Sequence, residues 1–145
     1  MNKEILQAEN IKLNVDFSDK DEAVVYVGNM LVDAGLVNNK YIDKMLERET
    51  ITSTYMGNAL AIPHGTDDSK SEVLQTGIVV VTVLNGVDYG DGNIAKVLIG
   101  IAGQGDEHLE VLSNIAIVCS EEENVNQIVE ATSADDIIQL FNEVD

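Results

Sequence analysis

Positive charge is scarce in this sequence, as are the residues that cross-link or interrupt a chain. Against 26 acidic residues it sets 8 basic ones, for a formal net charge of −18. A surface of that sign repels phosphate backbones and anionic lipid headgroups, so nucleic acid and membrane surfaces are excluded as partners. Most of the acids are expected on a solvated surface, and a basic protein is the partner such a surface suits. Cysteine occurs once, at Cys119. No internal disulfide can form, which fits a cytoplasmic protein. Long apolar runs are missing: the longest, Gly77 to Leu84, is far too short to span a bilayer core of about 30 Å. Met1-Asn2-Lys3-Glu4 leads into no long apolar segment, so no signal peptide is expected. Nor is there a Pro/Gly/Ser-rich linker, an internal repeat or a low-complexity tract. What is present is 45% hydrophobic residues in 145, enough for a core and for one domain over residues 1–145.

Periodicity sketches the elements. Ile11, Leu13, Val15 and Phe17 alternate with polar residues, as in a half-buried strand. Ser18, with Asp21 three residues on, predicts a helix start, and Gly35 its stop. Asn38 can cap a second helix bearing Tyr41, Ile42, Met45 and Leu46, which should end near Thr50. Ala59 to Ile62 is apolar and suits a short buried strand. Thr76 to Leu84 and Ala95 to Ala102 read as strands buried on both faces, with Asn85-Gly86 and Asp88 to Asn93 as a long turn between them. That turn is no calcium loop: the third and fifth ligand positions are Gly90 and Gly92, and no glutamate closes it. Two final helices are expected behind Ser120-x-x-Glu123 and Ser133-x-x-Asp136. Strands flanked by helices make an α/β layered domain.

Three residues stand out as chemistry. His64 lies between Pro63, which restricts the chain entering it, and Gly65, which lets backbone or ligand approach closely. Taken alone, Pro-His-Gly fits a structural histidine closing a strand. His108 is expected in the first turn of a helix capped by Asp106, after the loop Gly103-Gln-Gly105. Free N–H groups and the positive dipole end there attract a phosphoryl group and disfavour imidazolium. By itself, His108 is also an ordinary solvent-facing residue. Arg48 is the single arginine among seven lysines. Beside Glu47 and Glu49 it reads as a surface charge, yet its planar fork could bind phosphoryl oxygens in a way lysine cannot. Gly103-x-Gly105 lacks the third glycine and the βαβ setting of a dinucleotide loop. Cys119 closes Ile115-Ala-Ile-Val and is read as a buried small hydrophobe. A metal site of His64, His108 and Asp67 or Asp106 has no support in the spacing.

The run MLERETITSTYMGNALAIPHGT, Met45 to Thr66, resembles enzyme IIA of the mannitol/fructose family of the phosphotransferase system, its mannitol type most of all. The resemblance continues through EAVVYVGNMLVDAGLVNNKYIDKMLERE and GVDYGDGNIAKVLIGIAGQGDEHLEVLSNIA, and covers roughly residues 9 to 140. It implies three layers, α/β/α, around a small mixed sheet. It implies that His64 takes a phosphoryl group from the carrier HPr and passes it to a cysteine of the mannitol enzyme IIB or IIBC component. His108 and Arg48 match the family's second active-site histidine and its active-site arginine, and no cofactor or metal ion is called for. Neutral His64 would attack through Nε2, its other ring nitrogen donating to a backbone carbonyl. Glu47, Glu49, Asp67, Asp68, Asp106 and Glu107 would rim the site and meet the basic surface of HPr. A regulatory enzyme IIA of the nitrogen-related branch, acting by phosphorylation-dependent protein binding, is the alternative.

Overall fold

A computed structural model describes residues 5–142. Five strands form one mixed sheet in the order β1-β4-β5-β3-β2, with β1 Ile11–Lys12, β2 Tyr55–Gly57, β3 Leu60–Ala61, β4 Gly77–Asp88 and β5 Ile94–Ala102. The long hairpin β4–β5 is antiparallel and forms the centre. β1 runs parallel to β4, and β3 runs parallel to β5.

Because side chains alternate across a strand, a continuous apolar strand feeds two cores. On one face Ile78, Val80, Val97, Ile99 and Ile101 pack under α3 Glu107–Cys119, α4 Glu122–Glu130 and α5 Ala134–Asn142. On the other, Val79, Val81, Val83 and Leu98 pack under α1 Lys20–Asp33 and α2 Lys40–Ile51. The result is the expected α/β/α sandwich.

The elements depart from the sequence reading where single residues take special conformations. The strand expected from Ile11 to Phe17 pairs only through Lys12. Asn14 has φ 56°, the left-handed region, and its N–H turns to the Thr82 hydroxyl at 2.8 Å. That one residue reverses the alternation: Ile11 and Leu13 join the first core, Val15 and Phe17 the second. Ala59 also has a positive φ, of 63°, so it turns the β2–β3 hairpin and the strand behind it is only Leu60–Ala61. Asn85-Gly86 does not end β4; the strand continues to Asp88 across a register shift.

Helix caps differ by a residue or so. Asp19, not Ser18, accepts from the Glu22 N–H at 2.8 Å, because Ser18 instead donates its hydroxyl to the Glu22 carboxylate. Asn38 makes no side-chain cap. Its amide reaches Glu72, and its carbonyl takes the Tyr41 N–H. Ser120 belongs to the end of α3, and Glu121 precedes α4. Ser133 accepts from the Asp136 N–H as expected, Gly35 follows α1 with φ 75°, and α2 ends at Ile51.

Candidate functional site

The parallel pairing of β3 with β5 places their C-terminal ends side by side, the end of an open α/β sheet where ligands sit. His64 follows β3 and His108 follows β5, so the topology brings two residues 44 positions apart in sequence to one cleft. Their rings lie 5.5 Å apart between centroids, inclined at 61°. The cleft holds about 190 Å³ and is lined by both histidines, with Tyr41, Asp67, Lys70 and Asp106 among the others.

His64 is fixed by its own chain. Its Nδ1 lies 2.7 Å from the carbonyl oxygen of Ile62. A carbonyl can only accept, so the neutral ring carries its proton on Nδ1 and leaves the Nε2 lone pair free. Pro63 holds the turn between them, and its carbonyl takes the Ile101 N–H of β5 at 3.2 Å. Burial holds the imidazole below its ordinary pKa, and the Arg48 guanidinium adds to this. The Ile62 carbonyl, Glu49 and Asp67 pull the other way. The balance favours a neutral ring.

Gly65 behaves differently from the sequence reading. A Cβ there would lie 2.6 Å from the Tyr41 ring and 2.5 Å from the Ser69 hydroxyl, so the space belongs to the protein and not to a ligand. The Gly65 N–H is likewise taken, by the Tyr41 hydroxyl at 2.9 Å. Tyr41 in turn donates to the Ile101 carbonyl at 2.8 Å. One buried phenol thus ties the histidine loop to the end of β5.

His108 is the second residue of α3, as expected. Gly103 makes this possible: a Cβ would come within 2.5 Å of the His108 Cα. The side chain of Asp106 makes no capping bond. The loop is held instead from Thr76, whose hydroxyl accepts from the Gln104 N–H and donates to Glu107. The His108 pKa is lowered chiefly by burial, with His64 and Lys70 adding and Asp67 opposing.

Arg48 sits half-buried in the last turn of α2, seven residues after Tyr41 and three after Met45 and so on their inward stripe. It does not line the cleft itself. Its Nη1 donates to the Thr52 carbonyl at 2.5 Å, closing the end of the helix, while its charge is felt at His64.

Of the six acids expected at the rim, Asp67 and Asp106 line the cleft. Glu47 and Asp68 are both exposed and both paired with Lys44, each at 3.4 Å, and Glu107 accepts from the Thr76 hydroxyl. Glu49 is not a rim residue: its side chain is 4% exposed and points into the protein, against Lys20, Thr54 and Tyr89. Cys119 is buried, with its thiol pKa pushed up to about 12 by that burial. Among the described residues, no group of three or more His, Cys, Asp or Glu is placed to hold a metal ion. No described helix is long and apolar enough to cross a membrane.

Two histidines with one Nε2 free, in an acidic cleft at the end of parallel strands, suit transfer of a group to nitrogen. The family described as "Phosphoenolpyruvate-dependent sugar phosphotransferase system, EIIA 2" matches residues 4–144. The chain belongs to that family. Among relatives of this enzyme IIA is the mannitol-specific phosphotransferase enzyme IIA component of Bacillus subtilis, 55% identical over 141 residues, 97% of this chain and 99% of the relative. The crystal structure of IIA mannitol from Escherichia coli superposes with a TM-score of 0.87 at 37% identity, covering 94% of this chain and 98% of that one. The NMR structure of a complex of enzyme IIAMtl with phosphorylated enzyme IIBMtl, also from E. coli, gives a TM-score of 0.88 at 34% identity, with coverage of 95% and 97%.

Proposed function

We infer that this enzyme IIA is a cytoplasmic phosphoryl carrier for mannitol uptake, accepting phosphate from phosphorylated HPr on His64 and passing it to the mannitol-specific enzyme IIB component. The observation that carries this reading is the His64 ring, with Nδ1 on the Ile62 carbonyl and Nε2 free in the cleft shared with His108. Nε2 attacks phosphorus, the phosphorus–nitrogen bond of the donor breaks, and its electron pair returns to the HPr imidazole. In the second step a cysteine thiolate of enzyme IIB attacks, and the His64–phosphorus bond gives its pair back to Nε2.

Such transfer needs positioning and charge balance more than covalent work. The Nδ1–H stays on Ile62 throughout, so the ring keeps its aim. Arg48, whose charge reaches His64, balances the charge on the equatorial oxygens, and His108 donates to them from within the cleft. No metal ion or cofactor enters either step. Residues 1–145 act in this reading as one enzyme IIA domain.

High identity to a mannitol-specific component, together with a similar structure captured with enzyme IIBMtl, favours this reading over a nitrogen-related regulatory role. The test is incubation with phosphorylated HPr, then with purified IIB domains of several sugar specificities. One equivalent of acid-labile phosphate is expected on the wild-type chain and none on His64→Ala, whose fold should persist because His64 lies on a loop. Phosphate should pass to the mannitol IIB in preference to the others. Full labelling of His64→Ala, or indifference among IIB domains, would refute the corresponding half.

A further inference from the structure

The sequence places Glu49, next to Arg48, among the acids rimming the site, and its surroundings contradict that. Glu49 Oε1 takes the Thr54 N–H at 3.1 Å and the Lys20 ammonium at 3.1 Å. Oε2 takes the Thr54 hydroxyl and the Tyr89 phenol, the latter at 2.9 Å. Both oxygens are therefore fully used. Burial, and then the neighbouring Glu49 charge, push the Tyr89 pKa far up, so it stays a donor. Lys20 lies 4.6 Å from the centre of the Tyr89 ring, closing the cluster. The carboxylate thus joins the start of α1, the end of α2 and the turn of the central hairpin.

What hangs from this cluster is the site. Thr54, held by Glu49 through both its N–H and its hydroxyl, accepts the Ile62 N–H on its own carbonyl at 3.0 Å. Ile62 is the residue whose carbonyl fixes His64 Nδ1. Two residues before Thr54, the Thr52 carbonyl holds the Arg48 guanidinium. Both working groups are therefore referred to one short segment, residues 52–54, and Glu49 is what anchors it.

We propose that Glu49 is a positioning residue for phosphoryl transfer, its buried carboxylate setting the aim of His64 and the place of Arg48 through Thr54 and Thr52. It touches neither the phosphoryl group nor the histidine. The inference rests on His64 being the phosphoryl acceptor, and one arm of its test does not. Displacement of a reacting group by about 1 Å can slow a reaction about 100-fold without loss of binding.

The experiment compares wild type with Glu49→Gln, Thr54→Val and Thr54→Ser. Single-turnover transfer from phosphorylated HPr is expected to slow at least about tenfold in Glu49→Gln, with the concentration of donor giving half-maximal rate within about twofold of wild type. Thr54→Val, which keeps volume but loses the hydroxyl, should fall in the same direction, and Thr54→Ser should restore most of the rate. In parallel, nitrogen NMR of the His64 ring in the free protein should show the Nδ1–H form in wild type and a mixture of tautomers in Glu49→Gln. That arm needs no HPr, so it reports on Glu49 even if the donor is wrongly assigned. Should Glu49→Gln fail to fold, the two Thr54 variants decide alone. A wild-type rate per folded molecule in Glu49→Gln or Thr54→Val, or an unchanged His64 tautomer, overturns the proposal.

Discussion

Tyr41→Phe is the substitution that most directly tests how the histidine loop is held. It deletes one oxygen from a side chain that is 3% exposed, leaving the ring to fill the space beside Gly65. Two bonds go with it, from the Gly65 N–H at 2.9 Å and to the Ile101 carbonyl at 2.8 Å. The Gly65 N–H is then a buried donor with no partner, a loss of about 1–3 kcal/mol, and the bond to Ile101 adds about 1 kcal/mol. A total near 3 kcal/mol corresponds to a fall in Tm of roughly 6–12 °C for a chain of this size. Calorimetry or circular dichroism, with both unfolding curves checked for two-state behaviour, measures it. The same change frees the loop next to His64, so transfer from phosphorylated HPr at 25 °C, where the variant is still folded, should slow by about tenfold. A Tm within about 1 °C of wild type would refute the reasoning, since it would mean that the phenol oxygen contributes no net hydrogen bond where the geometry gives it two.

Arg48→Lys keeps the charge but loses the planar fork and its bond to Thr52, so transfer should slow by at least about tenfold with stability changed by less than about 1 kcal/mol; an unaltered rate returns Arg48 to the surface. Because the His64 and His108 pKa values are both below the ordinary 6.5, transfer at saturating donor should be flat above that pH and fall only as acid passes through the depressed His64 value. In the interval between folded and ordinary values the unfolded chain binds more protons, so stability should decline there too, and an NMR midpoint for His64 at or above 6.5 contradicts both statements. Raising salt should slow second-order transfer from HPr while leaving the rate within the complex unchanged, the Debye length being about 10 Å at 0.1 M. Asp67 and Asp106, which line the cleft, should carry most of that dependence when neutralised, and Glu130 on α4 none; a flat salt profile in stopped-flow transfer would leave the acids to solubility alone.

Much of the fold was legible because apolar periodicity is a local signal that burial reinforces. Thr76 to Leu84 and Ala95 to Ala102 name the two central strands, and the helical stripes name α1 and α2, since each side chain must face one core or the other. What failed were places where one residue leaves the ordinary backbone region. Asn14 and Ala59 have positive φ, and both lie in stretches whose apolar pattern reads as continuous strand. Asparagine visits that region readily, but alanine does not. Asn85-Gly86 is a strong hairpin signal, yet the strand runs through it, because Val87 and Tyr89 beyond it are needed in the second core.

The site divides along the same line. His64, His108 and Arg48 stand out in the sequence because each is of a rare type here and lies in a recognisable local setting, and the fold brings the two histidines to one cleft. Tyr41 and Glu49 were not, since each looks like its neighbours in sequence and differs only in what it faces. Tyr41 reads as one more residue on a helical stripe, and Glu49 as one of 26 acids. Their partners, Ile101 for the one and Tyr89 for the other, are 60 and 40 residues away, beyond any pattern of spacing. The logic of the assembly is nonetheless physical. In the proposed reading the transferring histidine must be aimed without being charged, so its ring is held by a carbonyl and its loop through a backbone N–H. The groups that fix those backbone segments then have to be polar and buried, and a buried polar group survives only when all its bonds are made. Glu49 with four bonds and Tyr41 with two meet that condition.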